Sequence, residues 1–375
     1  MSHKIPFNRA SLTGHELDYA NQSILAGHIM GDGPFTQRCR TLLEDTLGTR
    51  RALLTPSCTA ALEMCALLLQ VGPGDEVIVP SFTFVSTANA FVLRGATPIF
   101  ADVRPDTLNL DERQLERLIT PRTRAIVVVH YAGIACEMDT ILAIAARHRL
   151  PVVEDNAHGL FGKYRGRHLG SLGTFGTQSF HETKNVTCGE GGALLINDPE
   201  HIARAEIIRE KGTNRSRFFR GLVDKYTWVD VGSSYLLSDV LAAFLFAQLE
   251  TWESIQARRK AIWEIYHHAL AGWAQRGGVQ TPTVPAGCDQ AYHMYHLLLP
   301  SLEARQALIA KLQQHDILAV FHYLPLHLSD MGRRYGGKPG DCPVTENVTD
   351  RLLRLPFFNT LTDEEVQTVV AAITD

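Results

Sequence analysis

The sequence predicts an α/β fold, with a large N-terminal part built on a mostly parallel sheet and a smaller C-terminal part of α+β type. Between about residues 50 and 200, short β-rich runs alternate with helical runs, which is typical of a sheet covered by helices on both faces. Runs such as "AIVVV" are apolar without alternation, as strands buried on both faces should be. After residue 200 long helical patterns replace the alternation. We therefore predict two domains, residues 1–255 with an N-terminal arm and residues 256–375.

The elements of the first domain follow one another as alternating strand-like and helix-like segments. The first helix-like segment, "CTAALEMCALLLQ", is expected to end near Gly72, because glycine readily ends a helix. In chain order the segments are "RALLTP", "CTAALEMCALLLQ", "DEVIVP", "TFVSTANAFVLR", "TPIFADV", "DERQLERLI", "RAIVVVHYAG", "DTILAIAARH", "LPVVEDNA", "GTFGTQSFH" and "GGALLIND".

The C-terminal part begins with one long helical pattern that has room for a single break. This pattern is "SSYLLSDVLAAFLFAQLETWESIQARRKAIWEIYHHALAGW", and it links the sheet domain to the tail. The tail reads as a small α+β unit made of "AYHMYHLLLPS", "EARQALIAKLQQHDI", "LAVFHYLPLH" and a last helix in "TDEEVQTVVAAIT".

The amino-acid composition limits the classes of protein to which the chain can belong. With 45% apolar and 20% charged residues the chain is predicted to be globular and soluble, and a net charge of -4 without a basic stripe argues against nucleic acid or membrane partners. The seven cysteines form no CxxC pair and no zinc-like spacing, so we expect reduced thiols and no metal site. The start "MSHKIPFNRASL" lacks the apolar core of a signal peptide, which predicts a cytoplasmic protein.

The first chemically informative segment is "TPSCTAAL", where a strand hands over to a helix. Free N–H groups, the hydroxyls of Ser57 and Thr59, and the positive end of the helix dipole would converge there and could hold a phosphate, with Cys58 between them. The simpler alternative is that Ser57 only caps the helix, and this segment alone favours that alternative.

Two further residues reinforce the phosphate hypothesis. Asp155 ends the apolar run "VVED" and is either a local cap or a fixed negative charge that keeps a heteroaromatic nitrogen protonated. Lys184, followed by a glycine-rich turn, is either a solvated charge or an amine that forms an imine. Phosphate, ring nitrogen and aldehyde are the groups of pyridoxal phosphate (PLP), so the three signals together predict that cofactor.

The chain resembles a known family over essentially its whole length. The segments that carry the resemblance are "TPSCTAALEMCALLLQVGPGDEVIVPSFTFVSTANAFVLRGATPIFADV", "HYAGIACEMD", "VVEDNAHG", "SFHETKNVTCGEGGAL" and "FHYLPLH". They are similar to the DegT/DnrJ/EryC1/StrS sugar-nucleotide aminotransferases, a PLP-dependent group of fold type I. "FHETKN", "EKGTNRS" and "KYTWVDVGSSYL" resemble the branch of dTDP-4-amino-4,6-dideoxygalactose transaminases, which act in surface polysaccharide synthesis.

The resemblance implies roles for individual residues. Lys184 matches the Schiff-base lysine, Asp155 the partner of the pyridine nitrogen, and Phe84 the aromatic residue that stacks on the ring. The positions that match the phosphate cup are Ser57, Cys58, Thr59 and Ser179.

Two positions depart from the common pattern of the family. His158 stands where many members have a glutamine near the ring and its 3-hydroxyl, and its protonation state is open. Ser234, in "GSSYLLSD", stands where relatives often place an asparagine that reaches the phosphate of the neighbouring subunit. A homodimer with active sites at the interface is the implied assembly.

Weaker candidates concern the substrate. Tyr323 and His327 are expected to contact it or to be structural, and Glu190 is expected to orient its loop or lie in solvent. Arg215 and Arg217 are expected to meet a pyrophosphate or to form a solvated loop.

The resemblance implies transfer of an amino group from L-glutamate to the ketone of a dTDP-keto-sugar. The reaction expected from the closest branch is amination at carbon 4 of dTDP-4-dehydro-6-deoxy-D-glucose. Three alternatives stay open: another keto-sugar or the gluco product, a PLP-dependent sugar dehydratase, and a non-catalytic sugar-nucleotide binding protein. Relatives that are dehydratases carry a histidine in place of the lysine, so Lys184 argues against that alternative.

Overall fold

A computed structural model describes residues 4–215, 218 and 220–375 of the chain. Within this part, seven short strands form the central sheet, and most of their residues are buried. They are β1 (Arg51–Thr55), β2 (Glu76–Pro80), β3 (Thr97–Ala101), β4 (Thr123–Val129), β5 (Val152–Asp155), β8 (Phe175–Ser179) and β9 (Gly192–Ile196). Their spatial order is β1-β9-β8-β5-β4-β2-β3.

Strands β8, β5, β4, β2 and β3 run parallel, whereas β9 is antiparallel to both of its neighbours, β1 and β8. The register places Val127 beside Val153 and Val153 beside Phe175, all fully buried. A strand in the middle of a parallel sheet has helices over both faces, which explains why "AIVVV" carries no polar alternation. The prediction of a mostly parallel sheet is confirmed.

Helices cover the sheet; the first two precede its strands in the chain and the others follow them. They are α1 (Glu16–Leu25), α2 (Pro34–Leu47), α3 (Cys58–Leu68), α4 (Val85–Val92), α5 (Leu115–Leu118), α6 (Met138–His148), α7 (Ile202–Arg209) and α8 (Asp239–Glu250). Among them α3 has most of its residues buried against strands β8 and β9, so its first turn is held at the carboxyl edge of the sheet.

The C-terminal part forms a second apolar core. The long helix α9 (Trp252–Gly277) leads into it, and a two-stranded antiparallel sheet pairs β11 (His296–Leu298) with β12 (Leu352–Arg354). The remaining helices are α10 (Leu302–Gln314), α11 (Asp330–Arg334), α12 (Pro343–Arg351) and α13 (Asp363–Thr374). A small sheet consists of β6 (Lys163–Tyr164), β7 (Arg167–His168) and β10 (Cys288–Asp289), and its Tyr164 packs in the apolar core of the central sheet.

The long helical pattern predicted after residue 233 is divided into α8 and α9. The division falls at Thr251. The first helix begins only at Asp239, later than the predicted pattern, because Ser238 is its N-cap and accepts from the Leu241 N–H. Helix α9 contacts two cores, since Ile255 packs with α2 and α8 while Ile262 packs in the C-terminal core. The predicted domain boundary at residue 255 lies in the first turn of α9, and the division itself stays a prediction.

Candidate active site

Segments that follow three strands meet at the carboxyl edge of the sheet and line a cavity of about 620 Å³. Strand β1 leads into α3, β5 ends at Asp155, and the loop between β8 and β9 carries Lys184. Ligands of parallel sheets bind at this edge. The cavity brings together most of the residues predicted from the sequence, namely Ser57, Cys58, Thr59, Phe84, Asp155, His158, Ser179, Lys184, Glu190 and Tyr323.

Lys184 is held in the wall of the cavity by its backbone, whose N–H donates to the His181 carbonyl at 2.9 Å. Removal from bulk water lowers the pKa of its amine from 10.5 to about 8, because an ammonium loses hydration there. The charge of Arg354 lowers it further, whereas Cys58 and Asp155 oppose the shift. Lys184 is therefore an amine that is partly neutral near neutral pH, which a surface lysine is not.

Asn185, the next residue, anchors this loop to the C-terminal part. Its side-chain amide donates to the Ala291 carbonyl at 2.6 Å and to Gln256 Oε1 at 2.9 Å, and His293 Nδ1 lies 2.9 Å from its Oδ1. Asn359 donates to the Asn185 carbonyl at 3.3 Å. These four contacts restrain the backbone next to Lys184.

Asp155 is buried and its carboxylate is oriented on both oxygens. Thr87 donates to Oδ2 at 2.7 Å and the Ala157 N–H donates to Oδ1 at 3.3 Å, while Thr83 lies 2.8 Å from the Thr87 hydroxyl. Burial raises the pKa of Asp155, and the hydrogen bonds from Thr87 and Ala157 oppose that rise. The nearby Lys184 opposes it as well. A cation facing this carboxylate would compensate the cost of burying its charge.

The first turn of α3 combines a cap with a potential anion site. Ser57 is the N-cap, and its hydroxyl accepts from the Ala60 N–H at 3.1 Å, so the simpler sequence alternative describes a real contact. The N–H groups of Cys58 and Thr59 come before any intrahelical acceptor and stay available for an anion. The Thr59 hydroxyl lies 2.8 Å from that of Ser86.

A glycine allows the turn to fit against β9. A Cβ on Gly192 would lie 2.3–2.5 Å from the backbone of Ser57 and Cys58, which no side chain tolerates. The Cys58 thiol lies 3.4 Å from Thr177 Oγ1 and 3.9 Å from Asp155 Oδ1, and burial raises its pKa, so it stays protonated. The glycine-rich segment after Lys184 thus lets a strand lie directly on the proposed phosphate cup.

Aromatic rings form the remaining walls. Phe84 is 56% exposed at the cavity, which leaves its face available to a planar ligand. His158 stacks on His293 with centroids 4.2 Å apart, and His322 stacks on Tyr323 at 3.7 Å. Burial, followed by the charges of Lys184 and Arg354, holds the pKa of His158 well below its usual value. This environment favours the neutral imidazole of His158.

Three of the predicted residues that the structure describes do not line this cavity. His327 is fully buried, with Nδ1 2.6 Å from the Ser81 hydroxyl and Nε2 3.0 Å from Glu346, so it ties β2 to α12 and is not placed to contact substrate. Arg215 lines a separate cavity of about 450 Å³. Ser234 is exposed and forms an isolated bridge with Glu210. Arg217 lies outside the described residues.

Several residues of the site were not predicted, because the sequence patterns that could have indicated them are weak or absent. Thr87 follows Thr83 at helical spacing, which is the one pattern that could have indicated a shared role. Asn185 could have been noticed beside Lys184, but its partners lie 71 to 174 residues away along the chain. Arg354 and His293 come from the C-terminal part and are brought to the cavity only by the fold.

Comparison with known proteins gives a consistent result. A family model described as the DegT/DnrJ/EryC1/StrS aminotransferase family matches residues 11–374. The spore coat polysaccharide biosynthesis protein SpsC of Bacillus subtilis is 33% identical over 382 residues, which cover 100% of this chain and 97% of SpsC.

Two solved structures have the same fold. The aminotransferase TlmJ from Streptoalloteichus hindustanus superimposes with a TM-score of 0.90 at 31% identity, covering 99% of this chain and 98% of TlmJ. Spr1654 from Streptococcus pneumoniae has been solved in a PMP-form and a PLP-form. Its PMP-form superimposes with a TM-score of 0.92 at 28% identity, covering 99% of this chain and 98% of Spr1654. The central sheet and helices are those of the fold type I that the sequence predicts.

Proposed function

The chain belongs to the DegT/DnrJ/EryC1/StrS aminotransferase family, and on that premise we propose that it transfers the amino group of L-glutamate to carbon 4 of dTDP-4-dehydro-6-deoxy-D-glucose. The product is dTDP-4-amino-4,6-dideoxy-D-galactose. The observation that carries this proposal is the convergence of Lys184, Asp155 and the start of α3 on one cavity. An amine, a carboxylate and an anion-binding helix end are what a phosphorylated pyridine aldehyde requires.

The cofactor is pyridoxal phosphate. When bound, it supplies an aldehyde that takes up an amino group and a protonated ring that accepts electrons released at the substrate carbon. We assign its phosphate to the N–H groups of Cys58 and Thr59 together with Ser179, and its ring to the exposed face of Phe84. These residues fit the group, because the α3 N–H groups have no intrahelical acceptor and the Phe84 ring has a free face.

Asp155 is the residue that we assign to the ring nitrogen. Thr87 and Ala157 orient its two oxygens, and burial makes an unpaired carboxylate costly. A protonated nitrogen opposite the carboxylate removes that cost and is itself stabilised. Asp155 thus holds a proton at the ring nitrogen throughout the reaction.

Lys184 is the residue that we assign to bond formation and proton transfer. With its pKa lowered to about 8, Lys184 is far more often neutral near neutral pH than an ordinary lysine, which stays almost entirely charged. A neutral Nζ can attack an aldehyde and can take the proton from the α-carbon of the donor. In the second half of the reaction the same Nζ delivers a proton to carbon 4 of the sugar.

The choice of sugar rests on sequence segments rather than on the cavity. "FHETKN", "EKGTNRS" and "KYTWVDVGSSYL" resemble the branch that makes the galactose-configured product, and the relative SpsC is named for polysaccharide biosynthesis. The face of carbon 4 that lies towards Lys184 decides the configuration of the new amine. We assign Tyr323 and Glu190 at the cavity, and Arg215, to contacts with the nucleotide sugar.

The homodimer is part of the proposal. Ser234 and the segment "GSSYLLSD" occupy the positions at which relatives reach the phosphate of the neighbouring subunit. The support from this chain is the exposure of Ser234 and of several large apolar side chains near it, such as Trp228 at 77%. We propose that a partner subunit covers them and that its Ser234 contributes to the cup.

The experiment is to incubate the PLP-loaded protein with L-glutamate and the 4-keto-sugar and to determine the product by mass spectrometry and NMR. Small H3–H4 and H4–H5 couplings are expected, because an axial amine at carbon 4 places its hydrogen equatorially. Lys184→Ala is the inactive control, since no other amine lines the cavity among the described residues.

Each alternative has its own outcome in this experiment. Large couplings mean the gluco product, and an amine at carbon 3 of a 3-keto isomer rejects the substrate assignment but keeps the chemistry. Loss of an oxygen without gain of nitrogen identifies a dehydratase. Binding of the nucleotide sugar with no glutamate consumption and no product identifies a non-catalytic protein.

A further inference from the structure

The segment around Tyr292 joins the C-terminal part to the loop of Lys184, and its backbone is held in an unfavourable conformation. Tyr292 has a φ of 50°, in the left-handed region that aromatic residues rarely occupy. On one side the Ala291 N–H donates to the Gly133 carbonyl at 2.9 Å, and the Ala291 carbonyl accepts from the Asn185 amide at 2.6 Å. Such a conformation persists only where the surrounding contacts fix it, and it is common at functional sites.

Arg259 holds the other side of the segment from within the core. Its Nε donates to the Tyr292 carbonyl at 2.9 Å, and one terminal nitrogen donates to the His293 carbonyl at 2.6 Å. The other terminal nitrogen donates to Asn359 at 2.8 Å, and Asn359 donates in turn to the Asn185 carbonyl at 3.3 Å. These three partners are neutral oxygens, and burial of the guanidinium lowers its pKa to about 9. A buried cation without a carboxylate partner is costly for stability, which indicates that the arrangement it holds serves the site.

The orientation of the Asn185 side chain determines which atom of His293 carries a proton. The Ala291 carbonyl can only accept, so the side-chain nitrogen of Asn185 must face it, and the same nitrogen donates to Gln256 at 2.9 Å. The side-chain oxygen of Asn185 therefore faces His293 Nδ1 at 2.9 Å. Because an amide oxygen can only accept, Nδ1 of His293 carries the proton and donates.

The ring of His293 also forms part of the cavity. It stacks on His158 with centroids 4.2 Å apart and planes 16° apart, and both residues line the cavity. Burial holds the pKa of His293 well below its usual value, and the neighbouring His158 and Lys184 lower it further, which favours the neutral ring. His293 thus holds the residue next to Lys184 with one nitrogen and a wall of the cavity with its face.

We propose that His293 is a positioning residue that aligns Lys184 Nζ for attack on the aldehyde of PLP. It acts through Asn185, whose backbone continues directly into Lys184, and the donor at Nδ1 is the feature that matters. In the step concerned, Nζ bonds to the aldehyde carbon, and the aldehyde oxygen leaves as water with the two protons of the neutral amine. The inference concerns capture of the cofactor and does not involve the sugar, so it goes beyond the proposed function.

The test measures how the protein without cofactor captures PLP, by imine absorbance at rising PLP concentrations. The half-saturating concentration reports docking of the phosphate, and the limiting rate reports the alignment of Nζ. His293→Phe keeps a ring for stacking but has no donor, so its limiting rate should fall about tenfold to a hundredfold, as for a misplaced reacting atom. Its half-saturating concentration should change by less than about twofold. His293→Asn places an amide N–H where Nδ1 was and loses only the stacking, so its limiting rate should stay within about threefold of wild type.

Two further variants serve as controls. Asn185→Ala removes the acceptor, so it should slow capture as much as His293→Phe, and the double variant should be no slower than either. His267→Phe is the matched histidine control, because His267 also stacks on a ring, that of Trp263 at 4.4 Å, but does not line the cavity. It should capture PLP at the wild-type rate. Thermal unfolding of each variant without PLP reports the fold independently.

A wild-type limiting rate in His293→Phe overturns the inference, and so does an equal loss in His293→Asn, because the donor would then not matter. A loss of limiting rate that comes with weaker docking and a lowered melting temperature overturns it too, since a merely structural role gives that result. Should His293→Phe not fold, Asn185→Ala decides alone, and a normal limiting rate contradicts the inference. Failure of the proposed function is separate: a protein that captures PLP as expected but makes no amino sugar contradicts only that function.

Discussion

Asp155 and its neighbour Glu154 lie on one strand, but one carboxylate faces the cavity and the other is bound by the protein itself. Successive side chains of a strand point to opposite faces, so Glu154 turns away from the cavity. There it lies 2.9 Å from His130 Nε2 and accepts from the N–H groups of Gly170, Leu172 and Gly173. Glu154 is thus saturated by the protein, whereas Asp155 keeps one side open for a ligand.

The first prediction concerns Asp155→Asn. The amide keeps the size of the side chain but cannot balance a positive ring nitrogen, so PLP should still bind while both half-reactions slow by about a hundredfold. Stopped-flow absorbance with glutamate measures the first half-reaction and the keto-sugar the second. Asp139→Asn, which removes an exposed carboxylate paired with Arg165, is the control. Turnover near the wild-type level would remove Asp155 from the mechanism.

The second prediction uses the pKa of Lys184. Only the neutral amine attacks PLP, and the lowered pKa means that this form is gained as the pH rises through about 8. The rate at which the protein without cofactor captures PLP should therefore rise about tenfold per pH unit below 8 and level off above it. Borohydride should then attach the cofactor to the Lys184 peptide. A rate that keeps rising to pH 10, or a label on another lysine, contradicts the assignment.

At this scale the sequence predicted the cavity residues that follow strands and missed those that come from far along the chain. Ser57, Asp155 and Lys184 lie at the end of a strand or in the loop after one, and ligands of parallel sheets bind at that edge, so the sequence alone indicates that they lie close together. Arg354 and Asn185 have no such rule, because their roles depend on contacts between the two parts of the chain. For His327 the sequence left open a substrate contact or a structural role, and the contacts of its ring with Ser81 and Glu346 favour the structural role.

At the scale of elements, the contact between β9 and the start of α3 shapes the site. Strand β9 runs antiparallel to its neighbours, and its first residue, Gly192, faces the Ser57–Cys58 peptide. The sequence placed a glycine-rich turn here but could not indicate which backbone it would meet. The position of the proposed phosphate cup therefore depends on a strand that contributes no side chain to it.

The third prediction tests that contact with Gly192→Ala. The added Cβ meets the backbone of Ser57 and Cys58, which must shift, so the free energy of unfolding should fall by about 1–3 kcal/mol and PLP affinity should fall with it. Thermal unfolding and fluorescence titration with PLP measure the two effects. Gly72→Ala is the matched control, because nothing lies within 4 Å of its added Cβ. Unchanged PLP affinity in Gly192→Ala would show that the cup does not depend on β9.

For the molecule as a whole, helix α9 connects the apolar cores of the two parts. No helix of the described residues is long and apolar enough to cross a membrane. The N-terminal segment also joins the parts, since Ile5 packs in the C-terminal core while Phe7 and Asn8 line the cavity. The sequence predicted two parts because the alternation of strand-like and helix-like segments gives way to long helical patterns. Helix α9 packs in both cores, so the helical pattern itself does not mark where one part ends and the other begins.

The fourth prediction concerns the proposed dimer. If the partner's Ser234 completes each site, Lys184→Ala and Ser234→Asp should each be inactive alone, the latter because its charge repels the phosphate. Mixed in equal amounts and allowed to exchange subunits, they should regain about a quarter of wild-type activity, since half the dimers contain one intact site. Lys184→Ala mixed with itself is the control. A fully active monomer by sedimentation would contradict the proposal.

The position of β9 between β1 and β8 also has a consequence for synthesis on the ribosome. Among the strands that the structure describes, β1 pairs with β9 alone, and the two are about 140 residues apart in the chain. At a translation rate of about 5–20 residues per second, the partner of β1 is synthesised roughly 7 to 28 seconds after β1 itself. An apolar strand with unpaired N–H and C=O groups is prone to aggregate during that time. Production of this protein should therefore depend on cellular chaperones more than the stability of its finished sheet would suggest.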